Sequence, residues 1–256
     1  MSDPLLYSVE DGLARLTLNR PERLNAFDDA LAYAWADATA DATARPDVKA
    51  IVVDAAGPAF CAGGDVLAMA SGIGSARALE ELAHVISRGI LSLTESSVPV
   101  VAAAHGTTAG GGLGILLASD YAIVGQNSKI GSRYASMGLT PDLSVTAQLA
   151  RAVGERRALQ LVLQERLLPA EEALDWGLVA EVVDPDRVQA RAVEVAREWI
   201  AGVAGAYGQA KRLVRAGTRR PFADAVADEA ASIGAAFDTP EAQARIAAFA
   251  AAATRR

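Results

Sequence analysis

Two glycine-rich segments constrain the fold of this chain more than any other feature, because each follows an apolar run suited to a buried strand. Residues 60–65 (FCAGGD) come after the run 48–53, and residues 105–114 (HGTTAGGGLG) come after the run 98–103. Successive glycines let the backbone turn sharply with its N–H groups facing outward. The second segment also opens a helix, where unpaired N–H groups and the helix dipole favour negative charge. We therefore expect two sets of backbone donors at strand ends.

Other roles for glycine segments are less consistent with the sequence. An isolated glycine triplet is more often a tight turn between a helix and a strand, but a pair of such segments favours binding. The chain contains no Gly-x-x-x-x-Gly-Lys-Ser/Thr, and no Gly-x-Gly-x-x-Gly followed by a suitably spaced acid. Phosphoryl transfer and NAD chemistry are therefore not expected. The net charge of −7 argues against a nucleic-acid partner, because phosphate binding needs a concentrated basic face.

The first 186 residues alternate strands with helices. Asp11 and Gly12 form a turn signal that is typical of a hairpin between the first two strands. This order indicates an α/β fold built as one unit. We predict strands over 5–9, 13–18, 48–53, 98–103 and 121–124, and helices over 28–44, about 76–93 and a short stretch ending at 119.

From Arg187 onward the pattern is helical only and rich in alanine. We therefore divide the chain into a core, residues 1–186, and a C-terminal helical region, residues 187–256, suited to docking or oligomerisation. The expected helix breaks fall at Gly202, Gly205, Gly217 with Pro221, and Pro240.

Composition predicts a cytoplasmic protein without a membrane span. The N-terminal residues carry acids and no apolar signal region, and the longest apolar runs are too short to cross a bilayer. The single cysteine, Cys61, permits no internal disulfide and no cysteine cluster for zinc, so we expect no metal site.

Several motifs follow one another in a fixed order along the chain. They are residues 18–27 (LNRPERLNAF), 59–66 (AFCAGGDV), 109–113 (AGGGL) leading to 118–120 (ASD), 151–154 (RAVG) and 173–179 (ALDWGLV). As a set they resemble the motifs of the crotonase (enoyl-CoA hydratase/isomerase) superfamily over nearly the whole chain up to the final helices. The resemblance implies a spiral of ββα units, a helical trimerisation tail, and assembly into trimers or dimers of trimers. It also implies no prosthetic group, with coenzyme A present as part of an acyl-CoA substrate.

The same resemblance implies an oxyanion hole, formed by the backbone N–H groups of Gly64 and Gly111 and aimed at a thioester carbonyl oxygen. Donors placed where enolate charge develops stabilise it strongly. The side chain of Arg23 would offer a cation to the phosphates, or be a solvated surface arginine. The family pattern places coenzyme A along the backbone near Arg23, Leu24, Ala26, Ala62, Gly64, Asp65, Val66 and Leu67.

The chain departs from the hydratase pattern at the two glutamates that hold and activate water in that family. Those positions fall on Gly114 and Tyr134, so simple hydration is not expected. Asp142 is the remaining carboxylate. At this position isomerase members carry a proton shuttle, and the chlorobenzoyl-CoA dehalogenase carries its nucleophile. The alternative is that Asp142 caps the helix that follows.

Two further residues bear on the reaction. Tyr134 would either donate a hydrogen bond or form a wall of the acyl pocket. The dehalogenase also needs a histidine base, but ungapped counting puts Ser87 in that place and His84 nearly one helical turn earlier. The loop 69–78, rich in Gly and Ser, is expected to line the acyl pocket.

The favoured reaction is enoyl-CoA isomerisation, with Gly64 and Gly111 as donors and Asp142 as proton shuttle, and we count Tyr134 among the catalytic residues. Two alternatives stay open. One is a hydratase or another lyase or hydrolase of the same superfamily, including a dehalogenase-like enzyme. The other is a non-catalytic acyl-CoA-binding relative.

Overall fold

The computed structural model describes residues 3–72 and 75–254. Within these residues the chain forms nine strands and eleven helices. The strands are β1 (Leu5–Glu10), β2 (Leu13–Leu18), β3 (Ala50–Ala55), β4 (Val100–Ala104), β5 (Thr107–Ala109), β6 (Tyr121–Gly125), β7 (Lys129–Gly131), β8 (Leu168–Pro169) and β9 (Glu181–Val183). The helices are α1 (Asp29–Ala44), α2 (Val66–Gly72), α3 (Ala76–Glu95), α4 (Gly111–Ala118), α5 (Val145–Val153), α6 (Glu155–Leu163), α7 (Ala170–Asp175), α8 (Val188–Ala201), α9 (Ala204–Gly217), α10 (Phe222–Phe237) and α11 (Pro240–Ala253).

The main sheet has six strands in the order β1-β2-β3-β4-β6-β9. The hairpin of β1 and β2 is antiparallel, as the turn at Asp11 and Gly12 predicts, and every later pairing is parallel. Every residue of β3 and β4 is buried, because helices cover both faces of the sheet and leave no side of these strands to water. The predicted α/β fold is confirmed.

The second sheet positions the glycine segments. It has three strands in the order β5-β7-β8, and β5 follows β4 after a single turn. An isolated parallel bridge joins Cys61 to Thr108 in β5, and a second joins Phe27 to Gly64. The two glycine segments therefore lie side by side.

Helix α8 completes the core, although it falls in the region that the sequence assigned to the tail. Its buried residues Val188, Ala192, Val195 and Ala196 recur on one helical face and pack on the sheet. Beyond α9 none of the described residues is buried. Neither α10 nor α11 has a buried residue, and both expose large apolar side chains. Those exposed on these two helices are Phe222, Val226, Ile233, Phe237, Ile246 and Phe249.

Some boundaries differ from prediction. Helix α9 runs through Gly205, where a break was expected, and its Gly208 lies so close to the core that an added Cβ would stand 2.4 Å from the carbonyl oxygen of Ser97. The prediction of a loop over 69–78 is wrong at both ends, because residues 69–72 belong to α2 and residues 76–78 belong to α3. Residues 73–74 lie outside the described residues. No helix in the described parts of the chain is both long and apolar enough to cross a membrane.

Candidate active site

The two glycine segments pack directly against each other. The N–H of Ala109 donates to the carbonyl of Cys61 at 2.9 Å, which fixes the register between them. Gly63 has φ +107, a conformation that side chains rarely adopt, and an added Cβ there would stand 3.3 Å from the nitrogen of Gly111. Only glycine permits this approach.

The predicted donors, Gly64 and Gly111, both line one cavity. Gly111 is the first residue of α4, so its N–H precedes the hydrogen bonds of the helix. Within residues 3–72 and 75–254, neither the N–H of Gly64 nor that of Gly111 donates to any acceptor. The structure thus brings the two N–H groups to a common cavity, with the positive end of α4 directed at it.

The cavity has a volume of about 290 Å³ and is mainly apolar. Met69 and Ala76, from the two ends of the segment expected to line an acyl pocket, are among its walls. Polar exceptions are few and include Glu80 on α3, together with Tyr134 and Asp142. The remaining lining residues are Phe27, Gly63, Gly64, Leu79, Leu82, Ala83, Ile86, Gly111, Leu139, Thr140 and Leu143.

Asp142 and Tyr134 form a hydrogen-bonded pair at this cavity. The hydroxyl of Tyr134 donates to Oδ1 of Asp142 at 2.5 Å. Burial raises the pKa of Asp142, because the charged carboxylate loses water, and the tyrosine hydrogen bond opposes part of that rise. Burial also raises the pKa of Tyr134, and the neighbouring carboxylate adds to the effect. The tyrosine therefore stays protonated and serves as a hydrogen-bond donor.

The helix-cap alternative for Asp142 is wrong. Helix α5 begins after Ser144, and no side chain accepts a hydrogen bond from its first turn. Leu143 has φ +47 and Ser144 has φ +65, so two successive left-handed residues separate Asp142 from the helix. Such residues cost on the order of 1–3 kcal/mol each and are common at functional sites. Because this turn separates Asp142 from α5, its carboxylate accepts a hydrogen bond from Tyr134 instead of from the helix.

The position where hydratases carry their first glutamate has no room for a side chain. A Cβ on Gly114 would stand 2.4 Å from the carbonyl oxygen of Leu143 and 3.0 Å from its Cβ. The left-handed turn at Leu143 thus fills the space that a carboxylate would need. With Tyr134 at the second position, neither of the two family positions carries a carboxylate.

Neither histidine of the chain is among the described residues that line the cavity. His84 is 75% exposed, pairs with Glu80 on its own helix at 3.7 Å and does not line the cavity. Nε2 of His105 lies 2.7 Å from the carbonyl of Gly57, and its other ring nitrogen is near Gln189. Ser87 is not among the cavity residues either.

The residues expected along coenzyme A lie in two neighbouring stretches, 23–26 and 62–67. The side chains of Arg23, Leu24, Val66 and Leu67 are exposed. The carbonyl of Leu24 accepts from Ala62 at 3.0 Å, which joins the two stretches.

Few of these backbone groups are free to donate. The N–H groups of Leu24, Ala26, Ala62 and Asp65 all donate within the protein, so binding by these residues would rest on carbonyl oxygens and side-chain contacts. The carbonyl oxygen of Ala62 accepts nothing from the described residues.

Asp65 has a structural role. Its Oδ1 accepts from the N–H groups of Leu67 and Ala68 at the start of α2. Its Oδ2 pairs with Arg20 at 3.1 Å. These contacts hold the pKa of Asp65 below its usual value despite the opposing effect of burial.

Sequence reasoning missed the buried Asn25, which organises this region. Its amide donates to the carbonyls of Ala56 and Ala59 at 2.8 Å each, and its side-chain oxygen accepts from the N–H of Arg20. A polar residue inside the motif 18–27 was the available signal.

A second cavity, of about 430 Å³, adjoins the first. The two share Gly63, Gly64, Met69, Tyr134 and Leu139. Its other walls come from Ala62, Val66, Thr107, Ala109, Gly110, Ser132, Arg133, Ser136, Met137 and Leu167. Gly64 therefore lies where the two cavities meet, whereas Gly111 lines the first cavity.

Comparisons with known proteins agree with this geometry. A family model described as enoyl-CoA hydratase/isomerase matches residues 8–253. The chain is 35% identical over 204 residues to "Probable enoyl-CoA hydratase EchA14" of Mycobacterium tuberculosis (strain H37Rv), covering 80% of this chain and 77% of the relative. It is 32% identical over 204 residues to the 1,2-epoxyphenylacetyl-CoA isomerase of Escherichia coli K12, covering 77% and 76%. A crystal structure of enoyl-CoA hydratase from Mycobacterium smegmatis matches with a TM-score of 0.90 at 27% identity, covering 96% of this chain and 95% of that one. These likenesses confirm the fold class expected from the motifs, an α/β crotonase-type core with a C-terminal helical region.

Proposed function

The chain belongs to the enoyl-CoA hydratase/isomerase family, and we propose that it is an enoyl-CoA isomerase in which Asp142 is the proton shuttle. One observation carries the proposal. The carboxylate of Asp142 lines the same cavity as the two unpaired glycine N–H groups, and it bonds to Tyr134 instead of capping α5. A base therefore stands beside donors suited to a thioester oxygen.

The proposed oxyanion hole consists of the N–H groups of Gly64 and Gly111. When a proton leaves C2 of a thioester, negative charge moves onto the carbonyl oxygen, and these donors stabilise that charge. A single donor in a comparable site contributes about 2.7–4 kcal/mol, because it is preorganised and shielded from water. The dipole of α4 adds to the stabilisation at Gly111.

One base is sufficient for the reaction. Asp142 takes a proton from C2 of a 3-enoyl thioester, which leaves a dienolate held by the two glycines. The same carboxyl group then returns the proton to C4, and the double bond moves to the 2-position. A raised pKa suits a group that alternates between base and acid.

Water addition and dehalogenation are less favoured by the same cavity. Hydration would need the second acid/base group that Gly114 has no room for. Hydrolysis of an aspartyl ester uses a histidine base in the dehalogenase pattern, and neither histidine is among the described residues that line the cavity.

The substrate class follows from the arrangement of the two cavities. An acyl chain would fill the apolar cavity beside Asp142, and the pantetheine arm of coenzyme A would leave through the second cavity past Gly64. The adenine would then lie near Leu24 and Ala62. The carbonyl oxygen of Ala62, which accepts nothing from the described residues, suits the amino group of the adenine as a donor. The family resemblance and the exposed apolar faces of α10 and α11 support a homotrimer or a dimer of trimers.

The test is a substrate screen of purified protein with 3-enoyl-CoA, 2-enoyl-CoA, and saturated and aryl thioesters, followed by Asp142→Asn. We expect 3-enoyl-CoA to be converted to 2-enoyl-CoA without hydration. Asp142→Asn should abolish turnover while retaining folding and acyl-CoA affinity, because it preserves shape and removes the base. Asp37→Asn, at an exposed position of α1, is the matched control for loss of a carboxylate. Full activity of Asp142→Asn would refute the mechanism.

A further inference from the structure

We infer that Arg215, in helix α9, is a positioning residue that holds both halves of the proposed site, the helix that carries Gly111 and the turn that carries Asp142. The inference rests on the proposed function of those two residues. Arg215 is half-buried and donates to the core in several directions, whereas the catalytic cavity lies at the other end of α4.

The first contact is with the end of α4. Nη2 of Arg215 donates to the carbonyls of Ala118 and Ser119 at 3.0 Å each, where the helix leaves its last carbonyls unpaired. A cation is favoured at a helix C-terminus. Because α4 has only eight residues, a shift or tilt at this end moves Gly111 at the other. Arg215 thus fixes one end of the helix whose opposite end forms the oxyanion donor.

The second contact reaches the turn after Asp142. Nη1 of Arg215 donates to Oε1 of Gln148 at 3.2 Å, and Nε2 of Gln148 donates to Oγ of Ser144 at 2.6 Å. Ser144 is in the left-handed conformation, as is Leu143 before it. Such a turn persists only where its surroundings hold it. Arg215 and Gln148 therefore support the turn that directs Asp142 into the cavity.

Other groups hold α9 in place, so Arg215 is not needed to attach the tail. Lys211, one turn earlier on α9, is buried and donates to the carbonyls of Leu93 and Val98 at 2.7 Å each. It also pairs with Asp120 at 2.8 Å. Asp120 accepts from Arg215 as well, so one carboxylate pairs with both cations. Loss of Arg215 should leave the helix docked through Lys211.

The test compares Arg215→Met, Arg215→Lys and Gln148→Met in the full-length protein. Arg215→Met should lower kcat for 3-enoyl-CoA by on the order of 10-fold and change KM less than about 2-fold, because misplaced groups lose rate more than binding. Arg215→Lys should recover part of the loss, since an ammonium carries its donors on one atom and cannot reach all four acceptors of the guanidinium, on Ala118, Ser119, Asp120 and Gln148. Arg212→Met is the matched control, because among the described residues Arg212 bonds only to Gln209 and Asp228, both within the tail.

A binding measurement separates the two contacts and does not require turnover. Acetoacetyl-CoA forms a stable enolate and butyryl-CoA does not, so the ratio of their dissociation constants reports on the oxyanion donors. Arg215→Met should reduce the preference for acetoacetyl-CoA several-fold, whereas Gln148→Met should lower kcat and keep the preference. If the wild type isomerises no enoyl-CoA, the proposed function fails, and the binding ratio still tests Arg215.

Two results would overturn the inference. One is an Arg215→Met protein whose kcat and binding ratio equal those of Arg212→Met. The other is an Arg215→Met protein that loses rate only in proportion to the folded fraction, measured by circular dichroism, because this is the behaviour of a purely structural contact.

Discussion

Replacing Tyr134 with phenylalanine should move the acid limb of the pH–rate profile to higher pH. In the wild type, the hydroxyl of Tyr134 donates to Asp142 at 2.5 Å and lowers the pKa that burial raises. Phenylalanine keeps the ring and removes this donor, so the carboxylate should become harder to ionise. Because a base must be ionised to act, activity should fall at a pH where the wild type is still fully active.

The size of the shift follows from the hydrogen bond that is lost. A hydrogen bond to a charged group contributes about 1.5–3 kcal/mol. One pKa unit corresponds to 1.36 kcal/mol, so the limb should move up by about 1–2 units. Above the new limb the variant should be at least as fast as the wild type, because the carboxylate is then a stronger base.

The assay is kcat/KM for 3-enoyl-CoA across the pH range in which the protein stays folded, which reports on the free enzyme. Tyr7→Phe is the matched control, since Tyr7 also donates to an aspartate, Asp41, at 2.7 Å but lies on the first strand, away from the cavity. An acid limb that stays in place, or that moves to lower pH, would refute the assignment of Asp142 as the base.

Two further predictions concern stability and assembly. Gly112→Ala should lower the free energy of unfolding in urea by about 1–3 kcal/mol, because its Cβ would stand 2.2 Å from the carbonyl oxygen of Cys61. The control Gly234→Ala, whose Cβ would have nothing within 4 Å, should instead stabilise α10 by about 1 kcal/mol. Equal effects of the two substitutions would contradict the close packing at Gly112. The protein should be a trimer or hexamer by light scattering at micromolar concentration. Phe222→Glu with Phe249→Glu should shift it towards monomer, because these side chains are 85% and 78% exposed in the single chain. A monomeric wild type would contradict the proposed assembly.

The two glycine segments could be recognised from the sequence, because their local backbone conformation requires glycine. A close approach of two chains and a positive φ at Gly63 both demand glycine, and successive glycines after a strand are visible without any structure. Element boundaries were less accessible. The strand predicted over 48–53 lies at Ala50–Ala55 in the structure. The prediction began too early because Val48 is apolar and buried although it precedes the strand.

Contacts between distant parts of the chain were not accessible from the sequence. Leu143 fills the space beside Gly114 only because Leu143 and Ser144 form a left-handed turn. No local sequence pattern predicts that turn. The pairing of Tyr134 with Asp142 depends on the path between them. The contact from Arg215 to the end of α4 spans nearly a hundred residues, which periodicity and composition do not record.

The proton transfer itself tests the account most directly. A 3-enoyl-CoA labelled with deuterium at C2 is converted by the wild type and by Asp142→Asn, and the position of the label in the 2-enoyl product is read by NMR at early turnover. We expect deuterium at C4 of the wild-type product, carried there by Asp142, and no product from the variant. Product from Asp142→Asn at the wild-type rate, or a wild-type product whose new hydrogen at C4 comes entirely from solvent, would contradict it.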